Sequence, residues 1–145
     1  MKYLIDTNIC IYIMNKRPVD TIRRFKQFDP GQIGISSITV SELESGVQKS
    51  GHRKMNQTRL DEFLVPFEIL PYDQAAAGVY GEIRVELEKR GQPIGALDTL
   101  IAAHALSRNL ILITSNEKEF MRIERLRVEN WTAQGSVVSY IECLI

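Results

Sequence analysis

The amino-acid sequence predicts an α/β domain of three layers, with a central, mostly parallel sheet of about five short strands between helical layers. Three observations predict it. Short apolar runs alternate along the chain with segments of helical periodicity. One run, Leu110-Ile111-Leu112-Ile113-Thr114, is almost wholly apolar, as a parallel strand covered on both faces must be. Acidic residues also recur where a strand-like run hands over to a helix or where a helix begins, the places that a parallel sheet gathers on one edge.

Tyr3-Leu4-Ile5 is the first strand, ending in Asp6-Thr7-Asn8, and Ile9, Ile11, Tyr12 and Ile13 form a brief helix that stops before Pro18. Residues 19–28 combine Ile22 and Phe25 with the cations Arg23, Arg24 and Lys26, an amphipathic helix closed by Asp29-Pro30-Gly31. Ile33-Gly34-Ile35 is the second strand. Ser36-Ser37-Ile38-Thr39 opens a helix that continues through Val40, Leu43 and Val47 to Ser50-Gly51. Residues 52–64 form another, with its apolar face late, at Leu60, Phe63 and Leu64. Residues 67–71 are the third strand, whose end Pro71 places at the surface. Asp73 caps the longest helix, which runs to about Arg90 and stops at Gly91. After the tight connection Gln92-Pro93-Ile94-Gly95, residues 96–108 are the most apolar helix, and the run 110–114 that follows is expected at the middle of the sheet. A short helix over 116–121 and a strand over 127–131 complete the domain, which therefore spans 1–131. The segment 132–145, interrupted by Gly135-Ser136, is an extension to which the sequence assigns no role.

At 145 residues the chain is one domain, able to bury roughly two-thirds of its unfolded surface without disulfides or a structural metal. A hydrophobic share of 44% and a charged share of 25% are those of a globular protein. Cys10 and Cys143 lie near opposite ends with no metal-ligand spacing and read as thiols in a reducing cytoplasm. The N-terminal run meets Asp6 before an export signal could form, and nothing approaches the ~20 apolar residues of a membrane span. Formal net charge is zero, so a polyanion has to be gripped by local cations rather than by a global field.

Four acids occupy the handover points: Asp6, Glu42, Asp98 and Glu119. Each has an ordinary structural use. Asp6 can cap the helix after it. Thr39-Val40-Ser41-Glu42 has capping-box spacing, with Glu42 reaching back to the Thr39 amide. Asp98 lies in the first turn of its helix, favourable for the helix dipole, and Glu119 follows the cap-like Asn116 by three. Yet these uses all place the carboxylates at one edge, where three or four together cannot stay ionised without a cation. A hard, oxygen-preferring divalent ion, Mg²⁺ or Mn²⁺, suits them. Thr7, Asn8, Thr114 and Asn116 sit beside the acids and can orient carboxylates or water.

Other chemistries are poorly supplied. With His52 and His104 as the only histidines, the chain is poorly supplied for a histidine-based zinc site, and His104 on an apolar helix reads as a core residue. There is no Walker loop and no Gly-x-Ser-x-Gly elbow. Asp6-Thr7-Asn8 lacks the second acid of an aspartyl phosphotransferase.

Five segments in order then carry a resemblance. They are Leu4-Ile5-Asp6-Thr7-Asn8, the run from Ile35 to Leu43 with Gly46, Ile83-Arg84 with the run from Gly91 to Gly95, Asp98 with Ile101-Ala102-Ala103-His104-Ala105, and Thr114-Ser115-Asn116 with Glu119-Phe120. Over residues 3–131 the chain resembles the PIN-domain ribonucleases, in particular the VapC-type toxins of bacterial toxin–antitoxin pairs. The resemblance implies a metal-dependent endoribonuclease whose acidic centre is Asp6, Glu42, Asp98 and Glu119, holding one or two Mg²⁺ or Mn²⁺ ions. It implies a structured RNA substrate such as tRNA, cut so as to inhibit translation and growth. It also implies a homodimer and a small VapB-type antitoxin that blocks the acidic cleft. Arg84, Lys89 and Arg90 near the Gly91 turn, and Lys16-Arg17, are candidate cations for the RNA. A PIN nuclease of RNA maturation, and a non-catalytic domain that docks a partner while its acids serve only as caps, are the alternatives.

Overall fold

The apolar runs between turn signals become five strands, β1 (Tyr3–Ile5), β2 (Ile33–Ser36), β3 (Glu68–Leu70), β4 (Ile111–Ile113) and β5 (Val128–Glu129), in a computed structural model that describes residues 1–16 and 19–132. Arg17 and the extension from residue 133, with Cys143, lie outside the described residues. The helices are α1 (Thr7–Met14), α2 (Val19–Lys26), α3 (Ser37–Lys49), α4 (Arg53–Leu64), α5 (Gln74–Lys89), α6 (Ala96–Ser107) and the single turn α7 (Glu117–Phe120). A 3₁₀ turn at Pro30–Gln32, capped by the Asp29 side chain, replaces the simple loop expected there.

All neighbouring strands pair in parallel, in the order β3-β2-β1-β4-β5. The middle strand is thus β1, not the longer apolar run at β4 that the sequence suggested. A continuous apolar run reports cover on both faces, and β1 and β4 are both buried at every position. Position in the order is set instead by β5, whose two residues pair with β4 and form the edge.

Side-chain alternation sorts the core into two bodies, one on each side of the sheet. Tyr3, Ile5, Ile33, Ile35, Ile111 and Ile113 join Ile9, Leu43, Val47, Leu60 and Trp131 on one side. Leu4 and Leu112 join Leu70, Ile83, Leu87, Ile101 and Phe120 on the other. Trp131 closes the first body, stacked on Phe28 with ring centroids 4.5 Å apart and edge-on to Tyr3. Gly34 lets the second body close, since a Cβ there would lie 3.0 Å from Leu70 Cδ1. Among the described residues, no helix is long and apolar enough to cross a membrane.

Candidate metal centre

Parallel pairing of β1 with β4 sets the ends of two strands side by side, and the first of the acids is built there. Asp6 follows β1 and caps α1: its Oδ1 accepts from the Ile9 amide at 2.9 Å. Its Oδ2 accepts from the Thr114 hydroxyl, which arrives from the end of β4. Thr114 Oγ1 in turn accepts from the Asn116 amide at 2.9 Å, fixing the hydroxyl that faces Asp6. The cap foreseen for Asp6 is therefore real, and it leaves the carboxylate buried at the carboxyl edge of the sheet.

Glu42 is held differently from the expectation. Helix α3 starts one turn earlier than Thr39, with Ser36 as its cap accepting from the Ile38 amide at 3.1 Å. Thr39 lies inside the helix and buried, so no capping box forms. Released from that use, Glu42 turns to α1, where Thr7 Oγ1 donates to its Oε1 at 2.7 Å. The competing structural explanation for this acid is gone.

Asp98 is the third residue of α6, whose cap position, Gly95, has no side chain to offer. Glu119 is the third residue of α7 and accepts from Asn116 Nδ2 at 2.9 Å. The two carboxyl groups share a hydrogen bond with each other.

The electrostatics join the four. Burial raises the Asp6 carboxyl to about 6, and the Glu42 charge adds to this against the hydrogen bonds from Thr114 and Ile9. Burial also raises Asp98 to about 6, followed by the charge of Glu119, its hydrogen bond, and the charges of Asp6 and Glu42. Every one of the four acids therefore acts on at least one other. Among the described residues no three acidic, His or Cys side chains are drawn close enough to hold a metal as they stand. The donor set nevertheless fits a hard cation: carboxylate oxygens throughout, two of them reluctant to ionise without compensating charge.

The neighbouring polar residues divide. Thr7, Thr114 and Asn116 each hold an acid directly, whereas Asn8 is exposed and offers Asp6 only its backbone N–H. Of the cations, Arg84 binds Glu88 at 2.9 Å and the Tyr80 hydroxyl at 2.9 Å. Arg90 donates to the Arg122 carbonyl and lies 3.6 Å from Glu124. Arg122, which sequence reasoning missed, donates to the Pro93 carbonyl at 3.0 Å. The two arginines thus tie the loop before Asp98 to the turn after Glu119. Bonds to backbone carbonyls leave no trace in residue types, so no signal pointed to them.

A parallel five-stranded sheet carrying acids on its carboxyl edge is an architecture that PIN domains share, and the PIN-domain family matches residues 3–126. The chain is 45% identical to the ribonuclease VapC2 of Rickettsia felis over 132 residues, covering 90% of this chain and 98% of the relative. It is 41% identical to the tRNA(fMet)-specific endonuclease VapC of Shigella flexneri, covering 91% and 99%. The chain therefore belongs to the PIN-domain family, among the VapC ribonucleases. Its structure is similar to VapBC2 of Rickettsia felis bound to promoter DNA, with a TM-score of 0.85, 44% identity and coverage of 90% and 99%. It is equally similar to DNA-bound VapBC of Salmonella typhimurium, with a TM-score of 0.85, 40% identity and coverage of 90% and 98%.

Proposed function

We propose that the protein is a divalent-metal-dependent endoribonuclease, the toxin of a bacterial toxin–antitoxin pair, in which Asp6, Glu42, Asp98 and Glu119 hold one or two Mg²⁺ or Mn²⁺ ions. The observation that carries this reading is the convergence of four carboxylates, distant in sequence, at the carboxyl edge of the sheet, each acting on another electrostatically. When bound, such an ion supplies a nucleophilic water at neutral pH and neutralises charge developing on the phosphate. The protein contributes placement. Thr114 and the Ile9 amide hold both Asp6 oxygens in fixed directions, Thr7 aims Glu42, and Asn116 aims Glu119. Burial of Asp6 strengthens the charge interactions that this carboxylate makes.

The Shigella relative's specificity supports structured RNA, and tRNA in particular, as substrate. A recognised loop would present splayed bases and backbone to the acidic edge. The VapBC structures support a VapB-type antitoxin as partner, and the family resemblance implies that the toxin itself is a homodimer. A groove of about 360 Å³ lined by Ile11, Met14, Leu43, Val47 and Leu60 reaches Glu42, and an apolar antitoxin segment seated in it would lead to the acids. The nuclease domain is residues 1–131, the remainder is an extension, and the site of action is the cytoplasm.

The test is cleavage of tRNA and total RNA by purified protein with Mg²⁺ or Mn²⁺ against chelator, beside Glu42→Gln. Glutamine still accepts from Thr7 but is a poor ligand for a hard cation. Cleavage that needs metal and vanishes in a folded Glu42→Gln variant upholds the reading; cleavage indifferent to chelator ends it.

A further inference from the structure

Helix α3 carries Glu42 and helix α6 carries Asp98, and the two helices meet near the start of α3, where the partly buried Ile38 packs against the apolar body that holds α6. Leu43 and Val47 of α3 belong to the apolar body on one side of the sheet, and Ile101, Ala102 and Ala105 of α6 to the body on the other. Where α3 begins, at the top of β2, it meets α6 through a polar contact. Ser36 Oγ and His104 Nδ1 lie 2.7 Å apart, and both side chains are 0% exposed. The same Ser36 oxygen accepts from the Ile38 amide and so caps α3. Tyr72 packs edge-on against the His104 ring, centroids 5.6 Å apart, while its amide donates to Ser37 Oγ at 3.0 Å. Three chain segments therefore meet at one buried corner.

The ring is neutral at this corner. Burial lowers its pKa, Arg108 adds to that, and the Asp73 charge and the Pro71 carbonyl pull the other way without closing a hydrogen bond of ordinary geometry to Nε2. A neutral imidazole in a dry site is a stiff, directional partner for a hydroxyl.

We propose that the Ser36–His104 hydrogen bond is the pivot that fixes α3 against α6, and that His104 is thereby a positioning residue for the metal centre. Glu42 lies six residues beyond Ser36, and Asp98 six residues before His104, so each acid stands about 9 Å along its helix from the pivot. At that radius a rotation of roughly 6° moves a carboxylate by about 1 Å, and metal–ligand distances tolerate only about 0.2 Å. The inference rests on the metal-nuclease reading above.

The experiment is Mn²⁺ titration by calorimetry of the full-length protein and its variants, with kcat and KM for RNA cleavage measured in parallel. His104→Leu should bind Mn²⁺ about tenfold more weakly and lose kcat while KM for RNA stays put, the size of effect that an outer partner of a ligand has. Ser36→Ala should do the same, and the double variant should be no worse than His104→Leu alone. His104→Asn, whose amide nitrogen falls near the position of Nδ1, should recover most of the affinity. Wild-type Mn²⁺ affinity in a folded His104→Leu protein overturns the pivot while leaving the metal centre intact. If that variant does not fold, wild-type affinity in Ser36→Ala overturns it instead. A wild-type chain that binds no Mn²⁺ overturns the metal reading and the pivot together.

Discussion

Asp6 and Glu42 are each held by a threonine that reaches them from another segment of the chain, whereas Asp98 and Glu119 are held chiefly by each other and by one short helical turn. Asp6 sits where β1 and the α1 cap fix the backbone, and Glu42 is tied from α3 to α1 through Thr7. The second pair sits at the open start of α6 and on the four residues of α7, where Glu119 acts on the Asp98 carboxyl by charge and hydrogen bond. The difference teaches how a site can be both preorganised and adjustable. On the proposed metal reading, the first half would define where an ion goes and the second would give up a proton to bind it, so that affinity should rise with pH.

The most severe way to break the fixed half is Asp6→Asn. Cleavage should fall by far more than the roughly 10–100-fold that loss of an outer partner costs. Stability of the metal-free protein should move the other way. The Asp6 carboxyl is raised to about 6 in the fold from an ordinary 3.8, so at pH 7 its ionisation opposes folding, and the neutral amide should gain about 1–3 kcal/mol. Denaturant melts beside RNA cleavage check both; an Asn variant less stable than wild type at pH 7 would refute the electrostatic account. The same shift sets a pH dependence. A carboxyl with a raised folded pKa takes up its proton on the folded side first, so its penalty is full above about 6 and is relieved as pH falls toward 3.8. Asp98 acts in the same direction, more weakly because it is half-exposed. His104, lowered by burial, acts oppositely, losing stability as pH falls below 6.5. The Asp6 contribution can be isolated from that of His104: the stability gap between wild type and Asp6→Asn should narrow from pH 7.5 to pH 5.5. With saturating Mn²⁺ the wild-type melting temperature should fall over the same range, since protonation then competes with the ion.

Thr114→Val and Asn116→Ala compare the halves at equal chemistry, one lost hydrogen bond to a ligand each. Thr114 is buried and serves both Asp6 and the Asn116 amide, so its loss should cost about 10–100-fold in Mn²⁺ affinity, with Thr114→Ser near wild type. Asn116 holds Glu119 at the rim, and its loss should cost only a few-fold. Equal effects would mean that the two halves are equally rigid.

What the sequence made legible follows the same divide. The five strands and the positions of Asp6, Asp98 and Glu119 at helix starts came from local signals, apolar runs and caps, and these signals are strong because the inner strands are buried on both faces. Glu42 instead lies in the second turn of α3. The Asn116–Glu119 contact agrees with the expectation that Asn116 orients a neighbouring carboxylate, although Asn116 makes no side-chain cap hydrogen bond to α7. The Thr7–Glu42 bond joins residues 35 apart, and no local rule could choose it over the capping box. The start of α3 at Ser36-Ser37 was legible, but the capping box read at Thr39 does not form, because Ser36, Ser37, Thr39 and Ser41 are all competent caps and only one is used. The burial of β2 through Ser36 decided among them. The Ser36–His104 contact spans 68 residues and was equally hidden, although the core placement of His104 was not.

The cations expected to meet RNA sharpen the comparison at its weakest end, because the fold has already spent two of them on itself. Arg84 is committed to Glu88 and Tyr80, and Arg90 to the Arg122 carbonyl beside Glu124. Lys89 forms no ion pair or hydrogen bond with the described residues and borders an open charged cleft with Glu86 and Arg125. An exposed ammonium of this kind exchanges counterions for phosphate without breaking an internal bond. Lys89→Ala should therefore weaken RNA binding a few-fold and reduce the salt slope of log K by about 1, with Mn²⁺ affinity untouched. Arg90→Ala should do the reverse. It frees the turn after Glu119, lowering Mn²⁺ affinity slightly and changing the RNA salt slope little, at a stability cost under about 1 kcal/mol for so exposed a contact. Salt-dependent RNA binding and Mn²⁺ titration on both variants separate the roles. An Arg90→Ala protein with unchanged metal affinity and a reduced salt slope would return Arg90 to the substrate and leave the adjustable half of the site held by Asn116 and Asp98 alone.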